Sequence, residues 1–252
     1  MSMIKNTYFF INLLTAAVTG ITLSHASPAL SESSWQKQGT NRSTIESVVA
    51  QVSQNKEQAQ DYYEEGISLQ QQGKLAEAIA KYQKALELNP NLAAAHLNMG
   101  VAFATQGKDT EAMAAYRKAL SIQPNMAEAH YNLGNMLVEK EDYKAAEKEY
   151  KAAIKINPNY AKAYYNLGNV LAQQGQIEAA VKQWQTTIRI QPEFAEAYAN
   201  LGLIMNRSGQ KDQAIEAFKK ARDLFKSQGK EEQAEEIDRM LQRLWTSPSG
   251  IA

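Results

Sequence analysis

Residues 127–160 read AEAHYNLGNMLVEKEDYKAAEKEYKAAIKINPNY, and residues 161–194 read AKAYYNLGNVLAQQGQIEAAVKQWQTTIRIQPEF. Set one above the other, they share the run Tyr-Asn-Leu-Gly-Asn at 131–135 and 165–169, then Ala146 and Ala180, Tyr150 and Trp184, Pro158 and Pro192. The step is 34 residues. Carried outward, it meets Gly66, Gly100 and Gly202, Ala78, Ala112 and Ala214, the rings Tyr82, Tyr116 and Phe218, and Pro90 and Pro124. Series of four residue types in one phase define stacked supersecondary units, none of which can bury its apolar face alone.

Each unit holds two stretches with apolar residues at three-and-four spacing, such as Ala112, Ala115, Tyr116 and Ala119, so each is read as a pair of amphipathic helices. Glycine or alanine at fixed places lets two helices approach closely. That gain must exceed the ~1 kcal/mol that glycine costs inside a helix. Proline closes each unit, because it cannot continue a helix and pushes its predecessor out of helical angles. The rings are read as core, filling the space between neighbouring units.

With units at 59–92, 93–126, 127–160, 161–194 and 195–228, the chain resembles the tetratricopeptide-repeat family over about two-thirds of its length. The family's ring at the fourth position is Tyr62, His96, His130, Tyr164 and Tyr198, and its leucine-glycine pair is Met99-Gly100, Leu133-Gly134, Leu167-Gly168 and Leu201-Gly202. Glu65-Gly66 departs from that pair, Thr187 stands where a small residue is usual, and Lys226 stands where proline is. The resemblance implies an all-α fold, a right-handed superhelical solenoid of five helix-turn-helix repeats. A C-terminal capping helix over 229–245 carries Ala234, Ile237, Met240, Leu241, Leu244 and Trp245 in one stripe to cover the last unit.

In this family the first helices of the pairs line a concave groove, and the fifth, sixth and ninth positions face it. The sixth positions are Glu64, Asn98, Asn132, Asn166 and Asn200; the ninth include Asn135 and Asn169, flanked by Tyr131 and Tyr165. An asparagine amide donates and accepts, so it can pair with a peptide main chain whatever the side chains are, while tyrosine adds apolar area with a polar tip. The row is similar to the asparagine ladder in the repeat domain of O-linked N-acetylglucosamine transferases, although no transferase domain is present. The family's other mode, a carboxylate clamp, needs lysine at the fifth position, which is absent here. The expected peptide-binding residues are therefore Asn98, Asn132, Asn135, Asn166, Asn169, Asn200, Tyr131 and Tyr165.

The rest of the chain narrows the function. Lysine plus arginine and aspartate plus glutamate both number 27, so there is no bulk attraction for nucleic acid or anionic lipid. Without cysteine there is no disulfide, thiol nucleophile or cysteine metal site. His96 and His130 are read as half-buried fillers. No zinc spacing, phosphate loop or nucleophile elbow occurs, so no catalytic residue, metal or cofactor is expected. The expected role is a non-enzymatic scaffold for a protein or peptide client; the alternative is a structural solenoid that self-associates into a homo-oligomer.

Lys5 precedes a mostly apolar, uncharged run from Tyr8 to Leu23, with small residues at Ser24-His25-Ala26 and Ser27-Pro28-Ala29. That order marks a secretory signal peptide over 1–26, or an N-terminal anchor if it is retained. Either places the repeats in a periplasm-like or lumenal space, touching a membrane only through the N-terminus. Residues 27–58 are read as a linker with a short amphipathic helix at Ile45, Val48, Val49 and Val52, and 246–252 as a disordered tail.

Overall fold

A computed structural model describes residues 42–246, with side chains from Thr44 onward. The signal segment, the linker as far as residue 41 and the tail from residue 247 lie outside the described residues. The described residues fall into two units, divided between residues 54 and 55. Among the described residues there are eleven helices and no strand.

The described part of the first unit belongs to helix α1, Arg42–Gln71. A separate short helix around Val48 is not found, because one helix runs through that stretch. No proline or glycine falls between 42 and 65, and its many Gln, Glu and Ala residues are good helix formers. Ile45, Val48 and Val52 stand 39, 49 and 42% exposed.

In the second unit, the end of α1 pairs with α2 (Leu75–Leu88). There follow α3 (Ala93–Thr105) with α4 (Asp109–Ile122), α5 (Ala127–Glu139) with α6 (Tyr143–Ile156), α7 (Ala161–Gln173) with α8 (Ile177–Ile190), and α9 (Ala195–Arg207) with α10 (Lys211–Ser227). The last helix is α11 (Glu231–Thr246). From α2 onward each helix packs on its neighbours in the chain, and α5 also meets α7. This one-dimensional packing makes the unit a helical solenoid.

The glycines explain the pairing. A Cβ on Gly134 would lie 2.7 Å from Cε1 of Tyr150, and one on Gly168 2.5 Å from Nε1 of Trp184. Gly66, Gly100 and Gly202 face Tyr82, Tyr116 and Phe218 in the same way. The seat left by the missing side chain is thus filled by a ring from the second helix of the pair. Around each seat lie fully buried alanines, such as Ala112, Ala146 and Ala180. Thr187, in an alanine position, is also buried, and its hydroxyl donates to the Gln183 carbonyl at 3.0 Å.

Between units, Asn89, Gln123, Asn157 and Gln191 leave helical angles immediately before their prolines. Where Lys226 replaces proline, α10 runs on to 17 residues against 14 in α2, α4, α6 and α8. It ends instead at Gly229, φ 69°, in the kind of turn that joins the two helices of a pair at Gly107 and Gly175. Repeat three makes that turn with a non-glycine residue, Glu141 at φ 59°. Helix α11 then folds back on α10, burying Ala234, Ile237, Leu241 and Leu244 against Phe218 and Phe225. Trp245 departs from the expected stripe: it is 55% exposed, with the Lys219 ammonium 6.0 Å from its ring centre.

Replacing Gly134 by alanine is expected to lower stability by up to about 2 kcal/mol. The cost is the ~1–3 kcal/mol of overpacking against Tyr150, partly offset by the ~1 kcal/mol that alanine gains in a helix. Thermal melts followed by circular dichroism measure it; an unchanged midpoint would show that the ring shifts freely.

Candidate functional site

The candidate site is the face lined by the first helices of the pairs. Along it, three ladder asparagines, Asn98, Asn166 and Asn200, reach back one repeat. Asn98 Nδ2 donates to the Tyr63 hydroxyl at 3.1 Å. Asn166 Nδ2 donates to Asn135 Oδ1 at 2.9 Å and lies 3.4 Å from the Tyr131 hydroxyl. Asn200 repeats this one step on, at 2.9 Å from Asn169 Oδ1 and 3.5 Å from the Tyr165 hydroxyl. The same register produces the same bonds because the helices rise by a constant step.

The ninth-position amides take a second donor from below. Tyr150 O–H donates to Asn135 Oδ1 at 2.8 Å, and Trp184 Nε1–H to Asn169 Oδ1 at 3.1 Å. The rings seated on the glycines are thus tied by their tips to the ladder. Burial pushes the Tyr82 and Tyr116 hydroxyls up to about 12 and that of Tyr150 higher still, so all three stay protonated donors at neutral pH. Tyr131 lies between two rings, with centres 6.0 Å from Tyr150 and 5.0 Å from Tyr160, and Tyr165 stands 4.8 Å from Phe194.

Seven of the eight residues expected from sequence therefore form clusters: Asn98 with Tyr63; Asn135 and Asn166 with Tyr131; Asn169 and Asn200 with Tyr165. Asn132 joins none of them. Between repeats three and four the face opens into a cavity of about 310 Å³ walled by Asn135, Glu139, Tyr143, Tyr150, Asn166 and Gln173. The ring tips of Tyr150 and Trp184 belong to the ladder's hydrogen bonds, although the sequence reading assigned those rings to the core alone. The sequence held no signal for them, because the polar rings Tyr82 and Tyr116 also accompany apolar Ile67 and Val101 at position nine.

His130 and His96 are half-buried, as read from sequence, but differ chemically. His96 Nε2 lies 3.2 Å from the Pro90 carbonyl, and burial lowers its pKa. His130 faces acceptors on both sides, Glu149 Oε2 at 2.6 Å and the Pro124 carbonyl at 3.1 Å. Only the imidazolium can donate to both. The bond to Glu149 raises its pKa above the ordinary value, against smaller opposing effects of burial and of Lys148. Among the described residues, no three His, Asp or Glu side chains are grouped to hold a metal.

A polar ladder along stacked helix pairs defines a helical-repeat scaffold of the protein-binding class. A family model described as TPR repeat matches residues 66–107, 103–138, 134–175 and 168–209, and one described as tetratricopeptide repeat matches 195–228. The chain belongs to the tetratricopeptide-repeat family, whose members are generally non-enzymatic interaction scaffolds. No curated protein matches the sequence. Among solved structures it is similar to MamA at 32% identity and TM-score 0.60, over 66% of this chain and 96% of that one. It is also similar to MamA 41-end from Desulfovibrio magneticus RS-1 (27%, TM-score 0.62, 68% of this chain and 97% of that one). A third is YrrB, described as a TPR protein with an unusual peptide-binding site (28%, TM-score 0.61, 75% of this chain and 95% of that one).

Two outcomes are expected. Asn135→Leu strands the buried Tyr150 hydroxyl and costs about 1–3 kcal/mol, and adding Tyr150→Phe recovers part of that loss; additive effects in the double-mutant cycle would dissolve the pairing. His130, whose pKa is raised on folding, contributes stability that is full below its unfolded value of about 6.5 and is lost as pH rises through the folded one. Urea midpoints should therefore fall from about pH 6 to about pH 8, more steeply for the natural chain than for Glu149→Gln.

Proposed function

We propose that the ladder face binds an extended peptide segment of a client protein and so scaffolds the assembly of an exported or membrane-associated complex. The observation that carries this reading is the state of the ladder amides. Asn98, Asn166 and Asn200 spend their N–H groups on the preceding repeat, but the side-chain oxygens of Asn98, Asn132, Asn166 and Asn200 accept no hydrogen bond from the described residues. Four acceptors in register suit the N–H groups of an extended main chain. Each such bond is worth only ~0.5–1.5 kcal/mol net, so several must act together. Tyr131 and Tyr165, held against neighbouring rings, add preordered apolar area.

The likeness to YrrB supports peptide binding as the mode, and the sequence between Lys5 and Ala29 supports export. Chemical crosslinking in the native compartment, followed by affinity capture and mass spectrometry, tests both parts. Alanine at Asn132, Asn166 and Asn169 together should remove captured clients while circular dichroism stays helical. Undiminished capture would place the site elsewhere, and recovery of the chain from the cytosol would end the export reading.

A further inference from the structure

The ladder has one break, at the junction of repeats two and three. Asn132 occupies the ladder position of α5 and is half-buried, yet no described residue hydrogen-bonds to its side chain. The reason lies one repeat back: Leu97 and Val101 stand where Tyr131 and Asn135 stand one step later. The same exchange strands the ring beneath. Tyr116 is only 2% exposed as a residue, and no described residue hydrogen-bonds to its hydroxyl, whose oxygen solvent still reaches, whereas Tyr82, Tyr150 and Trp184 reach Gln70, Asn135 and Asn169.

The intact steps show what the broken one lacks. Tyr150 O–H and Asn166 Nδ2 converge on one oxygen, Asn135 Oδ1, at 2.8 and 2.9 Å. Trp184 Nε1 and Asn200 Nδ2 converge on Asn169 Oδ1 at 3.1 and 2.9 Å. Valine ends one atom short of that oxygen, at its γ-carbons. In the same register, Tyr116 O–H and Asn132 Nδ2 correspond to those two donors, and the described residues supply no acceptor oxygen for them.

We propose that this place receives a main-chain carbonyl oxygen of the bound segment, which makes Asn132 and Tyr116 the contact that sets the register of the client in the groove. This rests on the peptide-binding reading above. The acceptor is a neutral carbonyl rather than a carboxylate or phosphate. Glu128 lies one helical turn before Asn132, has no ion pair among the described residues, and its charge is felt at the hydroxyls of Tyr116 and Tyr63. An anionic oxygen would be repelled there. Asn132 keeps its own oxygen to accept a neighbouring main-chain N–H of the segment, while Leu97 and Val101 offer apolar walls beside it.

Val101→Asn tests the proposal, because it supplies the missing oxygen from within, as Asn135 and Asn169 do. The probe is the tightest linear peptide selected from a displayed random library against the full chain, labelled and followed by fluorescence anisotropy. Val101→Asn should raise the melting temperature and weaken binding by at least about tenfold, as two charge-neutral hydrogen bonds warrant. Asn132→Ala should weaken it to a similar degree without the gain in melting temperature. If both variants bind the peptide as the natural chain does, while Asn166→Ala with Asn169→Ala loses it, the anchor is refuted and the groove reading survives. A peptide that binds every groove variant equally, or a selection that yields no peptide, overturns both.

Discussion

The solenoid is organised around an aromatic ring lying on a glycine. At Gly66, Gly100, Gly134, Gly168 and Gly202 the ring of the second helix occupies the volume that any side chain would need. That contact fixes the distance and rotation between the two helices of a pair, since a ring seated on bare backbone leaves little freedom to slide. Glycine is a poor helix residue, and its place here is explained by the large buried area of the ring it admits. Constant pair geometry then makes every junction between pairs alike, and a regular face follows.

The ladder is a consequence of that regularity. A hydroxyl or indole N–H on the seated ring emerges at a constant height on the first helices, where Asn135 and Asn169 can meet it. The next repeat's Asn166 or Asn200 reaches the same oxygen. One oxygen therefore links the inside of a pair to the following pair, in surroundings where an unpaired polar atom is costly. The amide nitrogens of Asn166 and Asn200 and the amide oxygens of Asn135 and Asn169 together hold the stack, and the oxygens of Asn166 and Asn200 take no donor from the described residues.

Much of the fold was legible because the 34-residue period is carried by residues with a single job, a glycine beneath a ring or a proline after a helix. Lys226 shows the converse, since the helix lengthens where the stop is missing. The long helix through Val48 was less legible, because a helical stripe of valines says nothing about whether the helix continues beyond it. At the candidate site, sequence placed the amides on one face but could not say which were spent. Asn132 and Asn166 are the same residue at the same position; only the neighbours one repeat back, Leu97 and Val101 against Tyr131 and Asn135, separate a free amide from a bonded one. Glu149 beside His130 was hidden for a similar reason, because the partner lies on the other helix of the pair.

The missing proline in the last repeat also bears on how such a chain can change length. Tandem duplication or deletion of a unit between residues 59 and 194 would insert or remove one glycine seat and one proline stop, leaving both ends of the array as they are. The unit that begins at residue 195 is different, because its second helix lacks the stop and its apolar face is closed by α11. Copied inward, it would block the next junction. Groove length is thus free to vary by whole units on the N-terminal side of residue 195, whereas the C-terminal boundary is inherited as a single block.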